Sequence, residues 1–340
     1  MMRFGIVGCG NISGTHAEAL QNIQEAQLTA CCDTDEIKGR QFAENHRCQF
    51  YADYQDMLDH GPMDAVIIAT PHYLHGQMTI QAFEAGKHVL CEKPMAVTVA
   101  EAELVLAKWA EHQDLHYAVC YQNRFNPSYG KLKTMIDQQA FAQLKGIKCE
   151  LTWHRDRNYY EAASWKGTWA EEGGGTLINQ AIHTLDVVTW MVELPQKIKG
   201  KLMTTLLEDR IEVEDAAMAT AVLLGDVPVV IHASNNYSSD PAPTVTFDFE
   251  EAVVVLTADK LVVNDVVVPL EESLVSDVAK AYWGSGHLRF VRTFVNQLIG
   301  LPDPHVEDLA AADALDSLKM VCGIYESDRS GQWVQLAKNG

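Results

Sequence analysis

From the first residues to about position 121, short apolar runs alternate with amphipathic stretches. Residues 4–7, 28–33, 65–70, 88–91 and 117–120 are almost continuously hydrophobic, as strands buried on both faces are. Between them, residues 15–24, 36–44, 75–85 and 99–112 repeat with a helical period. This alternation predicts a doubly wound parallel α/β sheet with right-handed crossovers. After Tyr121 the pattern changes. Runs at 145–153, 197–207, 216–224, 227–234, 245–249, 252–256 and 260–268 follow one another across short turns and read as an antiparallel sheet. One helix over 176–192 interrupts them, and two more, over 287–299 and 308–327, close the chain. The expected division is a Rossmann-type domain over 1–121 and an α+β domain with a large, mostly antiparallel open sheet over 122–340.

Composition narrows the function classes. With 340 residues, 47% of them hydrophobic, the chain has apolar material for two cores. Its formal charge of −20 argues against nucleic acid, whose phosphates require clustered Lys and Arg. The acidity reads as solubility, since no acidic run stands out. The eight cysteines include no Cys-x-x-Cys pair, so a zinc site is not expected and the thiols read as reduced and cytoplasmic. The N-terminus reads as a strand instead of a signal peptide, and no apolar run reaches the roughly 20 residues of a membrane span.

The strongest chemical motif is Gly8-Cys9-Gly10-Asn11-Ile12-Ser13, between the first strand and first helix. Gly8 permits a tight turn and Gly10 a close approach of backbone to a pyrophosphate. The helix beginning at Asn11 and Ile12 offers N–H groups and a positive dipole end. Ser13 stands where Gly or Ala is usual. Asp33 ends the second strand, where a carboxylate binds both ribose hydroxyls and repels a 2′-phosphate, favouring NAD over NADP. The competing reading of Asp33 is a helix cap. Thr70-Pro71-His72 and His75 leave another strand at the same carboxyl edge; the two histidines read equally as cofactor contacts or helix caps.

Two segments offer a group to manage a hydroxyl proton. In Cys91-Glu92-Lys93-Pro94, a lysine beside a cationic nicotinamide has a lowered pKa and can act as acid or base, with Glu92 as its orienting partner. The alternative is a surface lysine. In Gly173-Gly174-Gly175…Asn179…His183…Asp186…Trp190, spacings of four, three and four place an amide, an imidazole and a carboxylate on one helical face. His183 reads either as catalytic or as a satisfied core histidine, and Asp186 as a hydrogen-bonding support. Trp153, Tyr160 and Trp165 lie in an aromatic and cationic segment suited to sugar C–H surfaces, with packing as the competing role. Arg124 reads equally as a substrate contact or as a link between domains.

Together these motifs resemble the glucose–fructose oxidoreductase/inositol dehydrogenase (Gfo/Idh/MocA) family over essentially the whole chain. The resemblance implies Lys93 and His183 near nicotinamide and substrate, and hydride transfer on a sugar, cyclitol or derivative. It also implies a cis Lys93–Pro94 bond and a homodimer or homotetramer built through the C-terminal sheet. Two positions depart from the pattern. Asn179 replaces the Asp of several polyol-oxidising members and so can only orient a hydroxyl, and His72 replaces an expected Asn. Two other activities share these features: an NAD-dependent glycosidase using transient oxidation, and a non-catalytic NAD-binding regulator.

Overall fold

The computed structural model describes residues 1–270, 286–309 and 311–336, which fall into two compact units. The first holds residues 1–125 together with 286–309. Its strands are β1 (Met2–Val7), β2 (Ala26–Cys32), β3 (Gln49–Tyr51), β4 (Ala65–Ile68), β5 (His88–Cys91) and β6 (Tyr117–Val119). They form a wholly parallel sheet in the order β3-β2-β1-β4-β5-β6, the dinucleotide-binding arrangement. The crossover helices are α1 (Asn11–Gln21), α2 (Glu36–His46), α3 (Tyr54–His60), α4 (His75–Glu84) and α5 (Val99–Ala110). Of these elements, β3 and α3 were not legible as periodic runs, being three and seven residues long.

Helix starts follow local chemistry. Asp35 caps α2 by accepting from Ile37 N and Lys38 N, Asp53 caps α3, and Thr98 caps α5. The core of this unit includes Phe4, Ile6, Ala17, Leu20, Ile67 and Phe125. Into it α9 (Gly286–Leu298) inserts Phe290, Val291, Phe294 and Val295, all fully buried. The sequence division assigned this helix to the second domain. Its apolar face has its partners in the first. Arg124 is buried in this unit, donating to Asp308 O at 3.3 Å and lying over the Tyr121 ring.

The second unit holds residues 126–270 and 313–336. Its strands are β7 (Leu144–Thr152), β8 (Lys197–Met203), β9 (Ala216–Val222), β10 (Pro228–Ser234), β11 (Thr244–Phe249), β12 (Ala252–Leu256), β13 (Leu261–Val263), β14 (Val266–Val267) and β15 (Val334–Gln335). The sheet order is β14-β13-β12-β11-β7-β10-β9-β8-β15, antiparallel except for the β7–β10 pair. The expected strand over 260–268 is two strands, because Asn264 and Asp265 take left-handed conformations and turn the chain back. Alternate residues such as Ile147, Ala219, Ile231 and Phe247 form the buried face. The helices are α6 (Pro127–Asp137), the short α7 (Arg157–Glu161), α8 (Ile182–Met191) and α10 (Ala311–Ser330), with a π-helical turn, Leu177–Ala181, leading into α8. Among the described residues no helix is long and apolar enough to cross a membrane.

Candidate active site

In the first unit the carboxyl ends of β1, β2, β4 and β5 bring the motifs together. Gly8 has φ +87°, and a Cβ there would meet Ala69 O at 2.6 Å and Thr70 N at 3.0 Å, so only glycine lets the β1 turn lie against the end of β4. Gly10 is the N-cap of α1, with no side-chain cap and no acidic residue in the first turn. The first N–H groups of the helix and its positive end are therefore kept for an external anion. Ser13 is fully buried and its hydroxyl donates to Gly10 O, holding the turn from within.

Asp33 does not cap α2; Asp35 does. Its Oδ2 accepts from Cys9 N at 2.8 Å and its Oδ1 from Asp35 N at 2.9 Å. The carboxylate thus fixes the glycine turn to the end of β2, and each oxygen keeps a lone pair for a ribose hydroxyl. Lys38 Nζ lies 3.7 Å from Oδ2, but half-exposed, so solvent weakens the pair. An uncapped helix start, a glycine turn that a Cβ would break and a strand-end carboxylate suit a dinucleotide with unmodified ribose.

Lys93 sits partly exposed in the loop after β5, and the Lys93–Pro94 bond is cis. Glu92 beside it is buried. Burial opposes its ionisation, yet the hydrogen bond from His16 Nε2 at 2.7 Å and the nearby positive groups hold its carboxyl well below the usual range. Glu92 Oε2 also accepts from Lys93 N at 3.3 Å. Cys120 completes a buried trio with His16 and Glu92 whose donor atoms lie within 4.8 Å of one another. These three residues lie far apart in the sequence and form no paired motif there, and His16 and Glu92 bond directly to each other. His287 packs edge-on against His16, and burial pushes its imidazole down to about 4.

Of the two histidines after β4, His75 is taken up by backbone. His75 is buried, with Nδ1 2.6 Å from Pro94 O and Nε2 2.9 Å from Thr70 O. Both nitrogens are engaged by backbone, so the ring ties the Thr70 loop to the Pro94 loop and is not placed to bond a cofactor. His72 is buried against the same ring. Thr70 and Pro71 keep partial exposure.

In the second unit, residues 174–188 are buried with two exceptions, Asn179 and His183. The π-helical turn ends at Ala181, between them; such turns add a residue to a helix and recur at functional sites. Asp186 is fully buried and accepts from Ser317 Oγ at 2.8 Å, as a support for the helix. The glycine turn before Asn179 is shaped by Glu214. Its carboxylate accepts from Gly175 N, Leu177 N and Tyr325 OH at 2.9, 2.8 and 3.1 Å. Burial pushes Glu214 up to about 7 against these hydrogen bonds.

Trp153 and Tyr160, expected at a substrate, are instead taken up by the protein. The Trp153 N–H donates to Pro241 O with Arg155 over its ring. Tyr160 packs with Leu207, Ile211 and Val213, and its hydroxyl accepts from Asn235. Trp165 is partly exposed. The residue missed was Tyr159, whose hydroxyl meets Asn179 Nδ2 at 3.3 Å and Gln180 Nε2 at 3.0 Å. Lys166 Nζ lies 3.6 Å from the centre of its ring. Tyr159 and Tyr160 are adjacent, and residue type alone could not say which faces the Asn179 helix.

The chain matches known proteins along most of its length. The family model described as "Oxidoreductase family, NAD-binding Rossmann fold" matches residues 2–121, and "GFO/IDH/MocA C-terminal domain" matches residues 129–255. Glucose-6-phosphate 3-dehydrogenase of Bacillus subtilis is 23% identical over 98% of both chains. The WlbA dehydrogenase from Bordetella pertussis, solved in complex with NADH and UDP-GlcNAcA, is 28% identical over 99% of both chains, with a TM-score of 0.85. A levoglucosan dehydrogenase complexed with NADH and levoglucosan shares the fold, with a TM-score of 0.86 over 99% of this chain and 100% of that one, at 18% identity.

Proposed function

Because this chain belongs to the Gfo/Idh/MocA family of oxidoreductases, NAD-dependent enzymes acting on CH–OH groups of sugars, cyclitols and their derivatives, we propose how its residues divide that work. Bound at the glycine turn and Asp33, NAD supplies a hydride acceptor or donor. What remains for the protein is to hold the substrate and move the proton of the reacting hydroxyl. We assign that proton to Lys93 and His183, with Asn179 orienting a hydroxyl. The observation that carries the second half is the helix itself: along 174–188 only Asn179 and His183 escape burial. Within this buried stretch the two accessible positions are an amide and an imidazole four residues apart on one face, an arrangement suited to a polar ligand.

The test is turnover on a panel of inositols, glucose, glucose 6-phosphate, levoglucosan and a nucleotide-linked uronic acid, with NAD or NADP. Wild type is expected to reduce NAD in preference to NADP with at least one panel member. Lys93→Ala and His183→Ala should each lower kcat by about 10²–10⁴-fold, the usual worth of a general acid or base, while NAD still binds. Either variant turning over like wild type would remove that residue from the mechanism. We also propose a homo-oligomer through the outer face of the second sheet, where Met218 and Val230 are more than half exposed. Light scattering giving a monomer mass at micromolar concentration would refute it.

A further inference from the structure

The amide of Asn179 has two ends, and what it offers a ligand depends on which end the protein holds. Its Nδ2 lies 2.5 Å from Glu172 Oε1 and 3.3 Å from Tyr159 OH, so both amide hydrogens point into the protein. Glu172 is buried, in the segment just before the glycine turn. Its other oxygen, Oε2, accepts from Gly167 N at 2.5 Å. A backbone N–H can only donate, which fixes Oε2 as an acceptor, while Oε1 faces the amide. Gly167 is closely packed and suited only to glycine: it has φ +79°, and a Cβ there would meet Ile211 Cγ2 at 2.6 Å.

We infer that Glu172 sets the polarity of Asn179, turning its Oδ1 towards the substrate so that the helix accepts, and does not donate, a hydrogen bond at this position. The inference rests on the reading of Asn179 and His183 as the substrate-facing residues. It adds the chemical class of the group recognised, a hydroxyl that donates its proton, and a positioning residue, Glu172. Asn179 held by a buried carboxylate presents an acceptor without placing a charge at the substrate.

Substitutions separate this arrangement from a merely structural contact. In Glu172→Gln, Gly167 N–H still requires an oxygen, so the new NH2 faces Asn179. The Asn179 amide must then flip and present Nδ2 to the substrate. In Asn179→Asp, two carboxylates face each other at hydrogen-bond distance and must share a proton. In the double variant Glu172→Gln/Asn179→Asp, the Gln NH2 donates to one Asp oxygen and the other is again an acceptor for substrate. Kinetics would be measured on the panel sugar with the highest wild-type kcat/KM, with melting temperature and NAD affinity followed in parallel.

Each single variant is expected to lose about 10–100-fold in kcat/KM, consistent with losing a buried hydrogen bond. The double variant should recover at least half of that loss on a logarithmic scale, with NAD affinity unchanged throughout. Glu172→Gln equal to wild type, or a double variant no better than the singles, overturns the inference. Asn179→Asp leaves the Gly167 contact intact, so the contrast with the double variant remains if Glu172→Gln folds poorly. If instead Asn179→Ala and His183→Ala both retain wild-type turnover, it is the underlying reading of the helix that fails.

Discussion

At the scale of single residues, two buried carboxylates use their charge in opposite ways. Glu92 is held ionised by His16 and neighbouring positive groups, whereas burial raises Glu214 from 4.5 to about 7. A carboxyl raised on folding binds its proton more tightly in the folded state. Its contribution to stability is therefore complete below pH 4.5 and is lost as pH rises through about 7. The loss is on the order of 3 kcal/mol. Glu214→Gln should be less stable at low pH, because Gly175 N loses an acceptor. It should also lack this decline between pH 4.5 and 7, as read by chemical denaturation at each pH. Equal slopes in wild type and variant would show that Glu214 stays ionised. None of this was legible in the sequence, because the groups that Glu214 serves lie 37 to 111 positions away. The placement of Asp33 and Lys93 was legible because both follow directly on strand ends.

Elements were legible where a local pattern decides them and obscure where a distant contact does. The turn between β1 and α1 is of the first kind, since Gly8-x-Gly10 announces its own geometry. Gly8→Ala would force a Cβ against Ala69 O at a residue with φ +87°. We expect NAD affinity to fall at least tenfold by fluorescence titration, and an unchanged dissociation constant would contradict this account of the turn. The helix over 176–192 is of the second kind. Its apolar period predicted one continuous α-helix, yet its first turn is π-helical. The start of that turn is pinned by Glu214 accepting from Leu177 N and by Thr176 N donating to Glu214 O, contacts outside any local window. The split of 260–268 into β13 and β14 had a visible cause in Asn264-Asp265, weaker than the surrounding valine run.

For the whole molecule, the order of motifs along the chain carried both the fold and the family. What it could not carry was the return of α9 to the first unit. The helix shows an apolar face in its sequence, but a face does not name its partner. Phe294, fully buried and 6.5 Å from the Phe4 ring, packs in the first-unit core, between elements 290 residues apart. Phe294→Ala should cost about 3–5 kcal/mol, seen as a lower denaturation midpoint. If the helix were an independent appendage, the midpoint would not move.

This chain exchanges a hydride between a CH–OH carbon of its substrate and NAD. The most direct check is the stoichiometry between NADH formed and sugar oxidised, measured on the panel member with the highest turnover. One NADH per carbonyl produced is expected, and at least about a hundredfold less NADH with Lys93→Ala over the same interval. Release of a leaving group with no net NADH would contradict it, as would consumption of no panel sugar by a protein that still binds NAD.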